Sequence, residues 1–238
     1  MNRETLVVVG LLVAVGVLAV VRGAISPTSV VLIVAVVPAI ILHEVSHGVV
    51  ALAFGDDTAK RAGRLTLNPV PHIDPFGSIV LPAMGAIAGL PIFGYAKPVP
   101  IDPRRLRHPR RDLIFVSLAG PTTNLTLMAV AAVVARAIYS SGGVLPGTIS
   151  QSTSDLLLEI AFYFALVNLL LGLFNLLPIP PLDGSALIER ALPASWLPTW
   201  YRFRPYGLLV LLLLIFFTGV IGTVVQPFFD ALRPFVLS

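Results

Sequence analysis

Hydrophobic residues occur along this chain in long blocks rather than in the short periodic runs of a soluble domain. Five blocks approach or exceed the roughly 20 apolar residues that cross the hydrocarbon core of a bilayer; they cover residues 5–22, 29–54, 112–138, 156–178 and 206–226. The first is favoured as an uncleaved span over a signal peptide, because the residues before it are barely basic. The pattern predicts an all-α polytopic membrane protein that forms one membrane-embedded domain over residues 1–238.

A sixth apolar run, residues 76–96, is interrupted by prolines and glycines, so the chain has either five or six transmembrane helices. Basic residues flank this run on both sides, with Lys60, Arg61 and Arg64 before it and Lys97, Arg104, Arg105, Arg107, Arg110 and Arg111 after it. Basic loops favour the cytoplasmic side, and both groups can lie there only if the run enters the membrane and returns. We therefore predict five spans and a re-entrant segment, with the N-terminus and the basic loops in the cytoplasm.

The flanks of the re-entrant run alternate between apolar and polar residues, as short strands do. These flanks are residues 63–67 and 92–96, and the prolines that follow the second would end it. Irregular backbone at membrane depth is tolerated only where protein or a water-filled cavity satisfies its polar groups. The sequence thus predicts a small β element beside a cavity.

Composition narrows the chemistry that the chain can perform. Hydrophobic residues make up 56% and charged residues 12% of the 238 positions, and there is no cysteine. Disulfide and thiol chemistry are excluded, so any metal site must use carboxylates and the four histidines. The net charge of +4 is explained by cytoplasmic loops, and the basic residues lack the interleaved aromatics of a nucleic-acid surface.

Three polar residues interrupt the second apolar block, within the sequence HEVSH at residues 43–47. His43 and His47 are four positions apart and project from one face of a helix, a spacing that lets two imidazoles bind one Zn²⁺. Glu44 can take a proton from a water that the metal activates. Ionisable groups within a span are costly and are usually functional, so this triplet indicates a catalytic zinc site.

Asp183 is the best candidate for a third metal ligand, which a zinc site needs beside an open position. It follows the prolines of the stretch NLLPIPPLDG, residues 175–184, which must end the preceding helix. Asp183 could alternatively cap the short helix that begins near residue 184. One carboxylate cannot easily serve both purposes, so the two interpretations exclude each other.

Together, HEVSH, NLLPIPPLDG and the intervening GPTTN (residues 120–124) resemble the motifs of the site-2 proteases, in the same order along the chain. The chain looks like the minimal form of that family, without a PDZ-like or nucleotide-sensing domain. The resemblance implies one zinc ion bound by His43, His47 and Asp183, with Glu44 as the catalytic base. It also implies hydrolysis of a peptide bond in a transmembrane protein substrate within the lipid bilayer, and it leaves the oligomeric state open.

Four further residues are candidates for contacts near the site. Asn124 and Asn175 lie towards the cytoplasmic ends of their spans and could bind substrate backbone or an oxyanion, or else join helices to each other. Tyr95 lies in the predicted second strand, whose edge could pair with an unwound substrate. His72 lies in a proline-rich turn that could reach the cavity mouth, although turn chemistry alone explains that stretch.

Two other functions use the same residues. A zinc or ion transporter would need symmetry-related broken helices, and this chain has no internal repeat. A catalytically silent membrane scaffold would be expected to lack the base, whereas Glu44 is present. The sequence therefore favours an intramembrane zinc endopeptidase over both alternatives.

Overall fold

The computed structural model of the chain describes residues 27–80, 94–141, 151–217 and 219–236, and α-helices dominate this part. The predicted first span, residues 5–22, and the centre of the predicted re-entrant run lie outside it. In chain order the helices are α1 (Pro27–Ala53), α2 (Thr58–Arg61), α3 (Pro109–Ser140), α4 (Gln151–Asn175), α5 (Ser185–Ala191), α6 (Leu197–Phe203), α7 (Gly207–Phe217) and α8 (Val220–Val236). Single 3₁₀ turns lie at Val70–His72, Pro103–Arg105, Ala194–Trp196 and Arg204–Tyr206, and a π-helical turn lies at Pro75–Val80.

Three of these helices are long and apolar enough to cross a membrane, namely α1 over Val30–Ala53, α3 over Pro109–Ser140 and α4 over Thr153–Asn175. They contain most of the residues of three predicted spans. The prediction of an all-α membrane protein is confirmed by these helices, while the total number of spans stays a prediction.

Helices α1, α3 and α4 pack against one another through small side chains. Ala35 and Ala39 of α1 contact Val167 of α4, and a second cluster joins the alanines of α3 at positions 131, 132 and 135 to α4. Small residues let helix backbones approach closely, which is the usual means of association in a bilayer. Larger residues such as Ile33 and Val133 face outwards. The three-helix core is the frame that holds the polar residues of the candidate site.

The fifth predicted span, residues 206–226, is not one continuous helix. Helix α7 ends at Phe217, and α8 begins at Val220 after Gly219, whose φ of +62° is a left-handed conformation that favours glycine. Leu232 and Val236 of α8 then pack into the alanine cluster of α3 and α4. Hydropathy alone predicted one span because it does not register a change in backbone direction.

The predicted small β element is absent from the described residues. Residues 63–67 form turns, with the Arg64 side chain buried and donating to the carbonyl oxygen of Lys97 at 2.5 Å. Residues 94–96 of the second predicted strand have no strand ladder, and residues 92 and 93 lie outside the described part. The prediction was wrong for residues 63–67, because this loop is held in place by side-chain contacts such as the one from Arg64 and not by strand pairing.

The two ends of the apolar run 76–96 meet. The Tyr95 N–H donates to the Gly77 carbonyl at 3.1 Å, and the Ser78 hydroxyl donates to the Tyr95 carbonyl at 2.9 Å. Close by, the Lys97 N–H donates to the His72 carbonyl at 2.9 Å. The run therefore leaves and rejoins the described structure at neighbouring points.

Candidate metal centre

His43 and His47 direct the same ring nitrogen, Nε2, towards one point between α1 and α3. The two Nε2 atoms are 3.1 Å apart, and both residues are buried. The other ring nitrogens are held from α3: His43 Nδ1 bonds Asn124 Oδ1 at 2.5 Å, and His47 Nδ1 bonds the Val116 carbonyl at 2.6 Å. When Nδ1 carries the proton for such a bond, Nε2 is left with a free lone pair, the form that binds metals.

Asp183 completes this group from the segment between α4 and α5. The Gly184 N–H donates to the Asn175 carbonyl at 2.7 Å, which folds the segment back onto the end of α4. Asp183 Oδ2 then lies 3.1 Å from His43 Nε2 and 3.2 Å from His47 Nε2. The capping alternative is not observed, since Gly184 is the N-cap of α5 and no side chain caps that helix.

The spacing of these three atoms fits a tetrahedral zinc ion. Bonds of about 2.0 Å in tetrahedral geometry separate two ligand atoms by about 3.3 Å, close to the 3.1–3.2 Å observed. Asp183 Oδ2 is buried and accepts no hydrogen bond, which would be costly without a cation. His43, His47 and Asp183 could therefore hold a metal ion.

Gly120 on α3 leaves the room that such an ion needs. A Cβ atom at this position would lie 2.5 Å from Nε2 of His43 and 2.5 Å from Nε2 of His47. Any side chain would therefore occupy the point on which the ligands converge. The glycine of the GPTTN motif thus has a direct steric role at the site.

Glu44 lies next to His43 in the sequence, and one of its carboxylate oxygens accepts a backbone hydrogen bond. Its Oε2 accepts a hydrogen bond of 2.8 Å from the Val99 N–H, while Oε1 accepts none from the described residues. Glu44 is half-buried and is not part of the three-residue ligand group. This arrangement leaves one oxygen available for proton transfer.

Asn124 is fully buried, and its amide is used between helices. Besides accepting from His43, it donates to Asn168 Oδ1 at 2.7 Å and to the Ala39 carbonyl at 3.3 Å. Asn168 in turn donates to the Phe164 carbonyl at 2.8 Å. In this structure Asn124 holds the His43 ring and joins α1, α3 and α4, as the helix-joining alternative expects, while a substrate contact stays a prediction.

The other sequence candidates, Asn175, His72 and Tyr95, are not part of the ligand group. Asn175 ends α4 half-buried, and its amide nitrogen bonds the Leu171 carbonyl at 3.0 Å. His72 is buried, with Nε2 3.0 Å from the Thr66 carbonyl oxygen. Tyr95 is partly exposed.

Besides the bond between Asn124 and His43, two contacts of the centre were not predicted from the sequence. Both are backbone groups, the Val116 carbonyl on His47 and the Val99 N–H on Glu44. A backbone group is present at every position, so side-chain motifs cannot reveal it. The one signal available was the Pro-Val-Pro sequence at residues 98–100, where Val99 alone has an N–H to donate.

The ligand group and its glycine lie within a region that is similar to a known protein family. The model of peptidase family M50 matches residues 31–218, a range that includes His43, Glu44, Gly120 and Asp183. The chain belongs to peptidase family M50. The resemblance to the site-2 proteases predicted from the motifs is thereby confirmed.

Relatives in the family carry matching names. YwhC of Bacillus subtilis (strain 168), provisionally named a zinc metalloprotease, is 36% identical over 210 residues, which are 87% of this chain and 89% of YwhC. Rip2 of Mycobacterium tuberculosis (strain H37Rv), with the same provisional description, is 33% identical over 73% of this chain and 61% of Rip2. Rip2 of Mycolicibacterium smegmatis is 31% identical over 73% of this chain and 62% of Rip2.

No solved structure gives a significant match to the chain. The family and the names of the relatives support a zinc metalloprotease, and the donor set agrees with zinc as its metal.

Proposed function

We propose that this M50 member is an intramembrane zinc endopeptidase that hydrolyses a peptide bond in a transmembrane protein. The observation that carries the proposal is the convergence of His43, His47 and Asp183 within about 3.2 Å of one another beside Glu44. Polar groups of this kind between apolar helices are expected at functional sites. A transporter would use the same ligand group, but the chain belongs to a peptidase family, and a catalytically silent scaffold would not need Glu44 beside that group.

In this proposal His43, His47 and Asp183 hold the ion and Glu44 moves the proton. Zinc, when bound, polarises the peptide carbonyl and makes water acidic enough to attack at neutral pH. Glu44 accepts a proton from the attacking water as the new C–O bond forms, and delivers it to the amide nitrogen as the C–N bond breaks. Asn124 and the Val116 carbonyl keep the imidazole rings in place throughout.

We further propose that the substrate approaches beside Tyr95 and Asn175. A peptide bond in a helix must unwind before attack, and lipid cannot satisfy the backbone groups that unwinding frees. The backbone N–H and carbonyl of Tyr95 already bond Gly77 and Ser78, so a substrate would pair with the opposite edge, at Gly94 and Ala96. The buried imidazole of His72 is a less suitable contact in this arrangement.

A re-entrant course for residues 76–96 and cytoplasmic basic loops are also part of the proposal. Two observations support them: the ends of the run meet at Gly77 and Tyr95, and the two basic loops touch, with Arg105 Nη2 2.7 Å from Asp57 Oδ1. Single cysteines at positions 60 and 105 of this cysteine-free chain should both react only with a reagent on the cytoplasmic side. Reaction from opposite sides would contradict the re-entrant course.

The central experiment measures cleavage of model single-span substrates by the purified protein in lipid, with metal content measured in parallel. Removing zinc with a chelator should stop cleavage, and restoring zinc should recover it. Glu44→Gln should keep the metal and lose cleavage, because it removes the proton acceptor and none of the ligands. Cleavage by this variant at the normal rate would disprove the proposed role of Glu44.

A further inference from the structure

We propose that residues 97–100, hereafter the strap, position the catalytic carboxylate through the backbone N–H of Val99. This inference rests on the proposed function, since it assigns a second determinant of the rate to the same base. Val99 would then be a positioning residue that acts through Glu44 and not through substrate or metal.

The geometry of the strap presents one donor to Glu44. The Val99 N–H lies 2.8 Å from Glu44 Oε2, although the residues are 55 positions apart. Pro98 and Pro100 have no N–H, and a residue that precedes proline is restricted to extended conformations, which applies to both Lys97 and Val99. The Val99 side chain is buried against α1 beside Gly48, one turn after Glu44.

The strap is also held by contacts other than the one to Glu44. The Lys97 N–H donates to the His72 carbonyl at 2.9 Å, and Arg64 donates to the Lys97 carbonyl at 2.5 Å. Beyond the strap, the Asp102 N–H donates to Asp56 Oδ2 at 2.7 Å. The Val99 donor is therefore placed by the fold before any substrate arrives, and this gives buried Arg64 a structural purpose.

The consequence for catalysis is a carboxylate with one oxygen fixed and one oxygen available. A glutamate side chain has several rotamers, whereas a general base must lie within about 2.6–3.2 Å of the proton it takes. A misplacement of about 1 Å at a reacting group can cost on the order of 100-fold in rate. Hydrogen bonds to an ionised carboxylate are among the stronger ones in proteins, so loss of this one should release Glu44 from its reactive orientation.

The sharpest test removes this N–H with the smallest change to the rest of the strap. Incorporation of the α-hydroxy analogue of valine at position 99 replaces the backbone amide by an ester while keeping the side chain and Pro100. We expect kcat to fall by about 10- to 100-fold, with KM and zinc occupancy close to those of the wild type. Val99→Pro also removes the N–H but replaces the valine side chain by a ring, and Val99→Ala, which keeps the N–H but loses two methyl groups, should retain kcat within a few-fold.

The outcomes separate this inference from the proposed function. Wild-type kcat in the ester variant would overturn the inference while leaving the function intact, provided that Glu44→Gln is inactive in the same assay. Loss of zinc from the ester variant would also overturn it, because the strap would then support the metal ligands. Equal losses of kcat in Val99→Ala and in the ester variant would overturn it as well, by assigning the effect to packing. Cleavage by Glu44→Gln would instead contradict the proposed function.

Discussion

Two aspartates near the ends of the helices, Asp183 and Asp56, illustrate how differently one residue type can be used. Asp183 Oδ2 faces two imidazole nitrogens and accepts no hydrogen bond. Asp56, which is 1% exposed, accepts from the Thr58 N–H at 2.9 Å, from the Thr58 hydroxyl and from the Asp102 N–H at 2.7 Å. A buried carboxylate oxygen that accepts no hydrogen bond and faces imidazole nitrogens indicates a cation site. A buried carboxylate that accepts several hydrogen bonds from a loop indicates that it stabilises the loop.

The electrostatics of Asp56 agree with a structural role. Burial by itself would raise the pKa of Asp56, but hydrogen bonds from Thr58 and from the Asp102 N–H outweigh it, and the pKa lies below its ordinary value. A group whose pKa is lowered by folding stabilises the native state above its unfolded pKa, near 3.9 for aspartate. This contribution is lost as the pH falls through the lower, folded value.

The strongest test of the comparison is Asp183→Asn, which exchanges an anionic ligand for a neutral amide. We expect zinc affinity to fall by more than about 100-fold and cleavage to be lost. Mutation of a residue that only hydrogen-bonds to a metal ligand already lowers metal affinity or activity by about 10- to 100-fold, and loss of a ligand itself should cost more. Competition with a chromogenic chelator measures the affinity. Asp57→Asn is the matched control and should bind zinc normally. Unchanged zinc binding in Asp183→Asn would show that Asp183 is not a ligand.

Gly120→Ala should also remove the metal while leaving every ligand in the chain. The new methyl group would lie 2.5 Å from both Nε2 atoms, although alanine is favoured over glycine in a helix by about 1 kcal/mol. We expect loss of zinc and of cleavage with no loss of helical content by circular dichroism. Gly222→Ala is the matched control, since a Cβ there meets nothing within 4 Å. Normal zinc content in Gly120→Ala would contradict the steric role.

Asn124→Ala should have an intermediate effect, because it leaves the ligands present and removes the bond that orients His43. We expect a loss of about 10- to 100-fold in zinc affinity or cleavage rate. Asn175→Ala breaks only a bond within α4 and should retain zinc. Loss of cleavage in this variant with normal zinc content would indicate that Asn175 contacts the substrate and does not support the metal. If Asn124→Ala binds zinc as well as the wild type does, orientation of His43 does not depend on this amide.

The smallest effect on zinc binding is expected for Asp56→Asn. In contrast to Asp183→Asn, this substitution should lower the stability of the fold and leave the metal site unchanged. Replacing one oxygen by an N–H donor breaks the set of bonds to Thr58 and Asp102 and should cost about 1–3 kcal/mol of folding stability. Thermal unfolding in detergent at pH 7 should show the loss, and the difference from the wild type should shrink as the pH falls below about 4. Zinc affinity should stay the same. A large loss of zinc would mean that the two aspartates are not independent.

Local patterns in the sequence were enough to predict the features that depend on spacing along one helix. The i, i+4 spacing of His43 and His47 predicted two residues of the group that could hold a metal, and the prolines and glycine around Asp183 predicted the third. Hydropathy located the apolar blocks that α1, α3 and α4 occupy. These features follow from the period of a helix and from residues that end it.

Contacts between distant residues and changes of backbone direction could not be predicted in the same way. The bond from Asn124 to His43 joins positions 81 apart, and its partner was not evident from either residue type. Alternation at residues 63–67 suggested a strand, but Arg64 instead bonds the Lys97 carbonyl. The positive φ of Gly219 separates the last apolar block into two helices, α7 and α8. Tertiary contacts outweigh such weak local preferences.

The carboxylates of Asp183 and Glu44 also bear on which ion the centre selects. When the two imidazoles bind a metal through their Nε2 lone pairs, two ionised carboxylates would contribute a charge of −2 between apolar helices, where unbalanced charge is expensive. A divalent ion cancels this charge completely, whereas a monovalent ion leaves −1 and a trivalent ion leaves +1. Charge balance thus favours a doubly charged ion, and the choice among divalent ions is left to the imidazole nitrogens and to the tetrahedral spacing.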